Sequence, residues 1–284
     1  MGKPQVIATV EALRAQVQAW RVDGARIAMV PTMGALHEGH LSLCRLARAH
    51  AERLVVSIFV NPKQFAPNED LAAYPRPFEA DLEKLASVGT QAVFAPSVEE
   101  MYPANFSTLV RVGGVSEGLC AVARPTHFDG VSTVVTKLLL QCLPDYAVFG
   151  EKDYQQLQII KRLVRDLNIP VSIIPGPTVR EADGLALSSR NVYLTHNERG
   201  IAPELQRTLQ SIAEAIRSGA IVSDATKSGV ARLRQAGFEP VEYLELRDAE
   251  TLEPMHVLDR PARLLVAARL GKARLIDNVA VSVL

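Results

Sequence analysis

The chain has 284 residues, enough to bury a large core, and this length is more typical of two domains than of one. Its formal net charge is zero, with 31 basic and 31 acidic residues, and the basic residues are spread along the chain, which argues against nucleic-acid binding. Apolar residues make up 48% of the chain and aromatic residues only 5%, as in α/β proteins with buried parallel strands.

The cysteines and the apolar segments predict the cellular compartment of the protein. Cys44, Cys120 and Cys142 are far apart in the sequence and form no CxxC pair. We therefore expect buried or free thiols in a reducing compartment. No stretch approaches the roughly 18 apolar residues of a membrane span, and the first fifteen residues lack the apolar core of a secretory signal. We expect a cytoplasmic protein with neither a membrane nor a nucleic-acid partner.

Apolar runs in the first part of the chain predict five buried strands, at 27–30, 54–60, 92–95, 146–149 and 171–174. Helical patterns separate most of them, at 41–51, at 78–88 before Gly89, and at 154–168 before Pro170. Such alternation predicts a Rossmann-like, doubly wound parallel sheet. In the strand order 3-2-1-4-5, the first and fourth strands are central neighbours, and ligands bind at their carboxyl ends.

The pattern changes after the Pro175-Gly-Pro177 segment. A polar, turn-rich segment at 180–191 is followed by helical patterns near 198–218 and 224–236, and by strand-like runs at 241–247, 263–269 and 273–283. We predict a smaller C-terminal α+β lid domain joined through a Pro/Gly hinge. The predicted domains are residues 1–176 and 177–284.

The segment after the first predicted strand, residues 31–40, reads PTMGALHEGH. Glycines let the backbone approach a ligand, a helix start offers unpaired N–H groups with a partial positive charge, and His37 and His40 add directed donors. The segment therefore predicts a phosphate-binding site. The alternative is an ordinary strand-to-helix turn with two surface histidines. The loop after the fourth strand, Gly150 to Asp153, would lie at the same edge of the sheet.

Two other chemistries match this segment less well. Gly34 and Gly39 have the spacing of a Walker A loop, but His40 and Leu41 stand where the lysine and the Ser/Thr belong, which disfavours a P-loop kinase or ATPase. His37, His40 and Cys44 lie near one helical face and raise a zinc interpretation. That interpretation lacks a fourth ligand and a paired cysteine.

The His-x-Gly-His pattern is instead typical of nucleotidyl-transferring α/β folds, in which the imidazoles contact ATP phosphates and pyrophosphate is released. A Ser/Arg-rich strip that closes over the phosphates is the second element of that chemistry. Leu187-Ser-Ser-Arg-Asn191 is a candidate for it, and a helix cap or turn is the alternative.

Four segments together resemble the pantoate–β-alanine ligase family. They are PTMGALHEGH from Pro31, FVNPKQF from Phe59, FGEKDYQQ from Phe149 and DGLALSSRN from Asp183, and they cover nearly the whole chain in the family's order. The resemblance implies an ATP-dependent condensation of pantoate with β-alanine. The products would be pantothenate, AMP and pyrophosphate, formed through a pantoyl adenylate.

The resemblance also implies roles for particular residues. His40, His37 and Lys152 would be catalytic. ATP would be bound by Met33, Gly34, Ala35, Leu36, His37, Glu38, Gly39, His40, Gly150, Glu151, Lys152, Asp153, Val179, Leu187, Ser188, Ser189 and Arg190. Pantoate and β-alanine would be bound by Asn61, Gln64 and Gln156, since an amide donates and accepts at once. The alternative for these three is a polar loop residue that satisfies backbone groups.

Magnesium would arrive with ATP and be held mostly by phosphate oxygens and water, with no protein ligand firmly assigned. Asp81 is a candidate helper, although its place in the helical pattern at 78–88 fits a solvated face equally well. The resemblance further implies a homodimer formed through the first domain. No other partner is expected besides the small-molecule substrates.

Three further functions remain open at this point. A nucleotidyltransferase of the same fold would transfer AMP or CMP and stop there; Gln64, Gln156 and a full C-terminal domain favour the ligase. A non-catalytic nucleotide-binding regulator would have lost phosphate-contacting residues, whereas His37, His40 and Lys152 are present. An aminoacyl-tRNA synthetase shares the histidine motif, but the chain has no basic excess.

Overall fold

The computed structural model describes residues 2–67, 69 and 71–283. The strands are β1 (Gln5–Ile7), β2 (Ile27–Thr32), β3 (Arg53–Ile58), β4 (Ala92–Phe94), β5 (Tyr146–Gly150), β6 (Ser172–Gly176), β7 (Val241–Asp248), β8 (Ala262–Leu270) and β9 (Ala273–Val281). The helices are α1 (Val10–Val22), α2 (Glu38–His50), α3 (Phe78–Ser87), α4 (Val98–Met101), α5 (Cys120–Ala123), α6 (His127–Cys142), α7 (Tyr154–Asp166), α8 (His196–Ile201), α9 (Glu204–Arg217) and α10 (Val222–Gln235).

The first six strands form one parallel sheet in the order β1-β4-β3-β2-β5-β6. The predicted order of the five strands is confirmed, and β2 and β5 are neighbours through Ala28 opposite Tyr146. Strand β1 was not predicted. It is only three residues long with Ile7 alone buried, so it carries almost no apolar signal.

Helices cover both faces of this sheet, as the doubly wound fold requires. Along β2, Ile27 and Met29 pack in a cluster with apolar residues of α1, α6 and α7. Ala28 and Val30 point to the other face, where they pack with residues of α2 and α3. The alternation follows from the two-residue period of a strand.

Helix α6 was missed in the sequence. It is buried along most of its length, so its apolar and small polar residues leave no clear helical period. Gly130 within it lets the backbone of Lys63 and Gln64 lie directly against the helix, because a β-carbon at this position would overlap the Lys63 carbonyl.

The second sheet is antiparallel, in the order β7-β8-β9, and α9 and α10 pack against it. This confirms the predicted α+β character of the C-terminal part. The single helical pattern near 198–218 is divided in the structure, because Pro203 stands at the start of α9. Pro175 and Gly176 of the predicted Pro/Gly hinge belong to β6, an edge strand, where a proline is tolerated.

The two sheets are joined by direct packing. Leu252 and Leu265 of the second sheet region share an apolar cluster with Tyr154 and Ile159 of α7. The hydroxyl of Tyr154 also donates to the carbonyl of Ala249 at 2.8 Å. In the described ranges, no helix combines the length and the apolarity needed to cross a bilayer.

Candidate active site

A cavity of about 240 Å³ lies at the carboxyl ends of β2, β3 and β5, and we call it the β2/β5 cavity. His37 reaches it from the start of α2, Asn61 from the segment after β3, and Gly150 from the end of β5. Three loops that are distant in the sequence therefore meet at the centre of the sheet. This is the convergence that the predicted strand order requires.

Most of the predicted site residues line this cavity. They are Met33, His37, Gly39, His40, Asn61, Gln64, Gly150, Lys152, Asp153, Gln156, Val179, Leu187, Ser188, Ser189 and Arg190. The Ser/Arg strip of the C-terminal part thus lies at the same wall as the histidine motif.

Five predicted ATP-binding residues lie outside the wall of the cavity: Gly34, Ala35, Leu36, Glu38 and Glu151. The exposed side chain of Glu38 pairs with Arg45, which lies two turns further along the same face of α2. Glu151 forms an ion pair with Arg263 of β8 at 3.2 Å. These two carboxylates are therefore engaged with arginines.

Asp81 anchors the loop before α2. Its carboxylate oxygens accept hydrogen bonds from the backbone N–H groups of Ala35 and Leu36, each at 2.8 Å, and the residue is only 1% exposed. The expectation of a solvated helix face was wrong, because both oxygens face this loop. The interpretation as a magnesium helper fails for the same reason: its oxygens are occupied by backbone donors. Asp81 thus holds Ala35, whose φ of 50° is left-handed.

The two histidines lie at the start of helix α2, where backbone N–H groups fix the tautomer of both rings. His37 is the N-cap, and its Nδ1 accepts from the Gly39 N–H at 3.2 Å, while Nδ1 of His40 accepts from the His37 N–H at 3.3 Å. Each Nδ1 is therefore unprotonated, and each Nε2 carries the proton and remains for a ligand. Glycine is needed at 39, since a β-carbon there would lie 2.9 Å from Cε1 of His37.

Both imidazoles are neutral at physiological pH. Burial, followed by the charge of Lys152, lowers the pKa of His37 to about 4. Burial and the neighbouring His37, whose ring centroid is 4.1 Å away, lower the pKa of His40 to about 3. The pair consequently offers two neutral N–H donors beside the partial positive charge of the helix start.

The turn after β5 carries two charged side chains of the cavity wall, Lys152 and Asp153. Nζ of Lys152 lies 3.7 Å from an Asp153 oxygen. Burial raises the pKa of Asp153, but the positive charges of Lys152 and Arg190 outweigh it and hold that pKa below its usual range. The side-chain amide of Asn278 in β9 donates to the carbonyls of Glu151 and Lys152, at 3.0 Å each. The C-terminal part thus fixes the turn that carries the lysine.

A chain of hydrogen bonds orients the amides at the other side of the cavity. The hydroxyl of the half-buried Tyr102 donates to Oδ1 of Asn61 at 2.8 Å. Nδ2 of Asn61 then donates to Oε1 of Gln64 at 3.0 Å and to the Gly130 carbonyl at 3.1 Å. Oε1 of Gln64 is thus engaged, and its Nε2 donates to the Met33 sulfur at 3.2 Å, so the second hydrogen of that NH₂ group is the donor left for a ligand.

Sequence reasoning missed Arg124 and His127, which line the cavity and hold the Gln64 backbone. Arg124 pairs with Glu69 at 2.7 Å and donates to the Gln64 carbonyl at 3.3 Å, and Nδ1 of His127 donates to the same carbonyl at 2.9 Å. Burial and the charge of Arg124 lower the pKa of His127 to about 4. The only local signal was an Arg and a His three residues apart before an apolar segment.

The cysteines are buried and unpaired, as predicted. Cys44 is fully buried in the core beneath α2, where burial raises its pKa to about 12. A protonated core thiol does not fit the zinc interpretation of His37, His40 and Cys44.

Two neutral imidazole donors at a helix start, with a lysine and an arginine across the central crevice of a doubly wound sheet, define an α/β protein of the nucleotidyl-transferring class. A family model described as "Pantoate-beta-alanine ligase" matches residues 5–280. The chain belongs to the pantoate–β-alanine ligase family, which confirms the resemblance of its four motifs.

Relatives of this family match over nearly their whole length. A pantothenate synthetase of Paramagnetospirillum magneticum is 59% identical over 276 residues, covering 97% of each chain. A solved pantothenate synthetase from Thermus thermophilus superposes with a TM-score of 0.92 at 46% identity, covering 98% of this chain and 99% of that one. A pantoate–β-alanine ligase from Francisella tularensis, solved in complex with "Beta-gamma ATP and Beta-alanine", has a TM-score of 0.82 at 33% identity, covering 97% of each chain.

Proposed function

We propose that this chain condenses pantoate with β-alanine at the expense of ATP, and releases pantothenate, AMP and pyrophosphate. The observation that carries the proposal is one cavity in which phosphate donors, His37, His40 and Lys152, face the amides of Gln64 and Gln156. Membership of the family supports it, as does the relative solved with an ATP compound and β-alanine.

The reaction needs two steps, because a carboxylate is a poor electrophile. First, a carboxylate oxygen of pantoate attacks the α-phosphorus of ATP, the bond to the β-phosphate oxygen breaks, and pyrophosphate leaves. Then the free amine of β-alanine attacks the acyl carbon of pantoyl adenylate, the bond from that carbon to the phosphate oxygen breaks, and AMP leaves. The amine gives up one proton as the amide forms.

The first step is assisted by preorganised donors. Nε2–H groups of His37 and His40 are held by their capping contacts, and Lys152 adds a fixed positive charge. We assign His40 to the transferring phosphoryl group. Such donors stabilise the charge that develops at phosphorus, and each typically contributes about 3 kcal/mol to the transition state.

Pantoate fits the part of the cavity between Gln64 and helix α6. Gln64 and Gln156 supply amide groups for its hydroxyls and carboxylate. Val131, Val134 and Val135 of α6 line the same cavity and offer an apolar surface to its two methyl groups. Asn61 extends the polar side toward β-alanine.

Ser188, Ser189 and Arg190 would complete the site from the C-terminal domain. They lie at the wall of the cavity and would bring donors to the phosphates. Their closure over the site would keep water from hydrolysing the acyl adenylate. We place the domain division at 176/177, where the parallel sheet ends.

Magnesium would be bound with ATP. The described residues contain no group of three or more His, Cys, Asp or Glu side chains able to hold a metal ion. Phosphate oxygens and water would therefore supply most ligands, and the anionic Asp153 at the cavity wall fits as an oxygen donor. The ion, when bound, neutralises phosphate charge.

We also propose that the protein is a cytoplasmic homodimer. Its buried, unpaired thiols fit a reducing compartment.

Isotope transfer tests the chemistry of the first step. Pantoate labelled with ¹⁸O in its carboxylate should yield AMP that carries one ¹⁸O, detected by mass spectrometry, because the attacking oxygen stays with phosphorus. Label retained only in pantothenate, with unlabelled AMP, would contradict an acyl adenylate.

A further inference from the structure

A second cavity of about 240 Å³ lies between the two sheets, and we call it the interdomain cavity. Its wall is formed by the turn after β5 and by residues of β8 and β9. It shares part of its wall with the β2/β5 cavity. The residues that line both are Arg124, His127, Lys152, Asp153, Gln156, Ser188 and Arg190.

Positive charge is in excess around the interdomain cavity. Its wall contains six basic residues, Arg124, Lys152, Arg190, Arg269, Lys272 and Arg274, and three acidic ones, Glu69, Asp153 and Asp277. Each of the three carboxylates already has a basic partner, in Arg124, Lys152 and Arg180 respectively.

The part of the wall formed by β8, β9 and the turn between them still has an excess of positive charge after its own ion pairs are counted. Glu242 is shared by Arg274 at 2.8 Å and Arg269 at 3.7 Å, so one carboxylate balances two guanidinium groups. Lys272 is exposed, and its charge acts on the Glu198 carboxylate, whose pKa it helps to lower, although no ion pair within 4 Å joins the two among the described residues. Arg269 is likewise exposed, so both cations are accessible from solvent.

We propose that the interdomain cavity binds inorganic pyrophosphate as it leaves the site of adenylation. This inference rests on the proposed function, in which pyrophosphate is set free beside Lys152 and Arg190. Both residues line both cavities, so pyrophosphate stays close to their positive charges as it passes from the β2/β5 cavity to the interdomain cavity. Pantoyl adenylate meanwhile stays in the β2/β5 cavity.

The charge of the wall selects pyrophosphate over the second substrate. Pyrophosphate carries several negative charges at neutral pH, whereas β-alanine is a zwitterion without net charge. A cavity with excess cations attracts the first and gives the second no net attraction. The interdomain cavity is therefore assigned to the product anion, and β-alanine is assigned to the β2/β5 cavity.

Charge reversal at the mouth of the interdomain cavity tests the proposal. The main variant is Lys272→Glu, the second is Arg269→Gln/Lys272→Gln, and the matched control is Lys227→Glu, an exposed lysine of α10 outside the cavity wall. All three change exposed side chains, so folding is retained. Initial rates of pantothenate formation are measured with added inorganic pyrophosphate, with magnesium in every assay.

We expect the inhibition constant of pyrophosphate to rise by roughly threefold or more in both cavity variants, because surface charges act modestly and additively. The KM values for ATP, pantoate and β-alanine should stay unchanged, and Lys227→Glu should match the wild type. An unchanged inhibition constant, an equal rise in the control, or a raised KM for β-alanine instead would overturn the proposal. Failure of the wild type to form pantothenate is a separate result, which would refute the proposed function.

Discussion

His37 and His40 derive their chemistry from the helix that they begin. The N–H groups at the start of α2 occupy Nδ1 of both rings, so the proton of each ring stays on Nε2. Burial keeps the rings neutral, which makes them donors rather than permanent cations. A local capping arrangement thus prepares the site before any ligand is bound.

The same burial links the histidines to stability. His37, His40 and His127 have pKa values lowered to about 4, 3 and 4, so near pH 6 the unfolded chain binds protons that the folded chain does not. Their stabilisation is fully present above the unfolded pKa of about 6.5 and is lost as the pH falls toward 4. For each histidine, the free energy of unfolding would fall by at most about 1.4 kcal/mol for each pH unit below that value.

Urea unfolding at about pH 7, 6 and 5 measures this effect. The free energy of unfolding should fall from the first to the last, and should fall less steeply in the His37→Gln/His40→Gln variant, which lacks two of the three groups. Equal slopes in the two proteins would show that these histidines titrate normally in the folded state.

Single residues were predictable where a local motif carries them. The histidines, Lys152 and the glutamines stand in contiguous segments with characteristic spacing. Tyr102 acts on Asn61, 41 positions away, and His127 acts on Gln64 from 63 positions away. Such contacts exist only after folding and leave no local pattern, which is why these residues were missed.

Among the elements, α3 has a larger part in the site than its sequence indicates. Its Asp81 holds two consecutive N–H groups of the loop before α2, so the loop and the helix form one unit. The amphipathic pattern predicted the helix correctly, but it left Asp81 as either a magnesium helper or a residue of a solvated face. The pattern alone could not distinguish a solvated carboxylate from one that binds backbone donors.

The Asp81→Asn variant should distinguish two roles of Asp81, an anchor for the backbone of the loop before α2 and a metal ligand. An asparagine would direct its NH₂ group at a backbone N–H, leaving a buried donor unsatisfied, at a cost of about 1 to 3 kcal/mol of unfolding free energy. The KM for ATP should rise as the loop shifts. Steady-state kinetics and urea unfolding provide the two measurements.

Glu83→Gln is the matched control, because it makes the same change on an exposed position of α3. It should leave both measurements near the wild-type values. Recovery of Asp81→Asn activity at high magnesium would instead indicate a metal-binding role and contradict the anchor.

At the scale of the whole molecule, the sequence predicted the sheet order and the two-part organisation better than the contact between the parts. Strand order follows from alternating apolar runs and short connections, which are readable along the chain. The packing of Leu265 on α7 and the bonds from Asn278 to the Lys152 turn depend on how two separately patterned units meet. They make the second sheet a support of the site.

The most direct test of the central claim is ATP–pyrophosphate isotope exchange, measured with labelled pyrophosphate in the presence of pantoate and the absence of β-alanine. Acetate, or no acid, serves as the control. We predict exchange that depends on pantoate, because adenylation of its carboxylate is reversible and precedes attack by the amine. No exchange despite demonstrable ATP binding would contradict the two-step reaction and leave a nucleotidyltransferase with another acceptor.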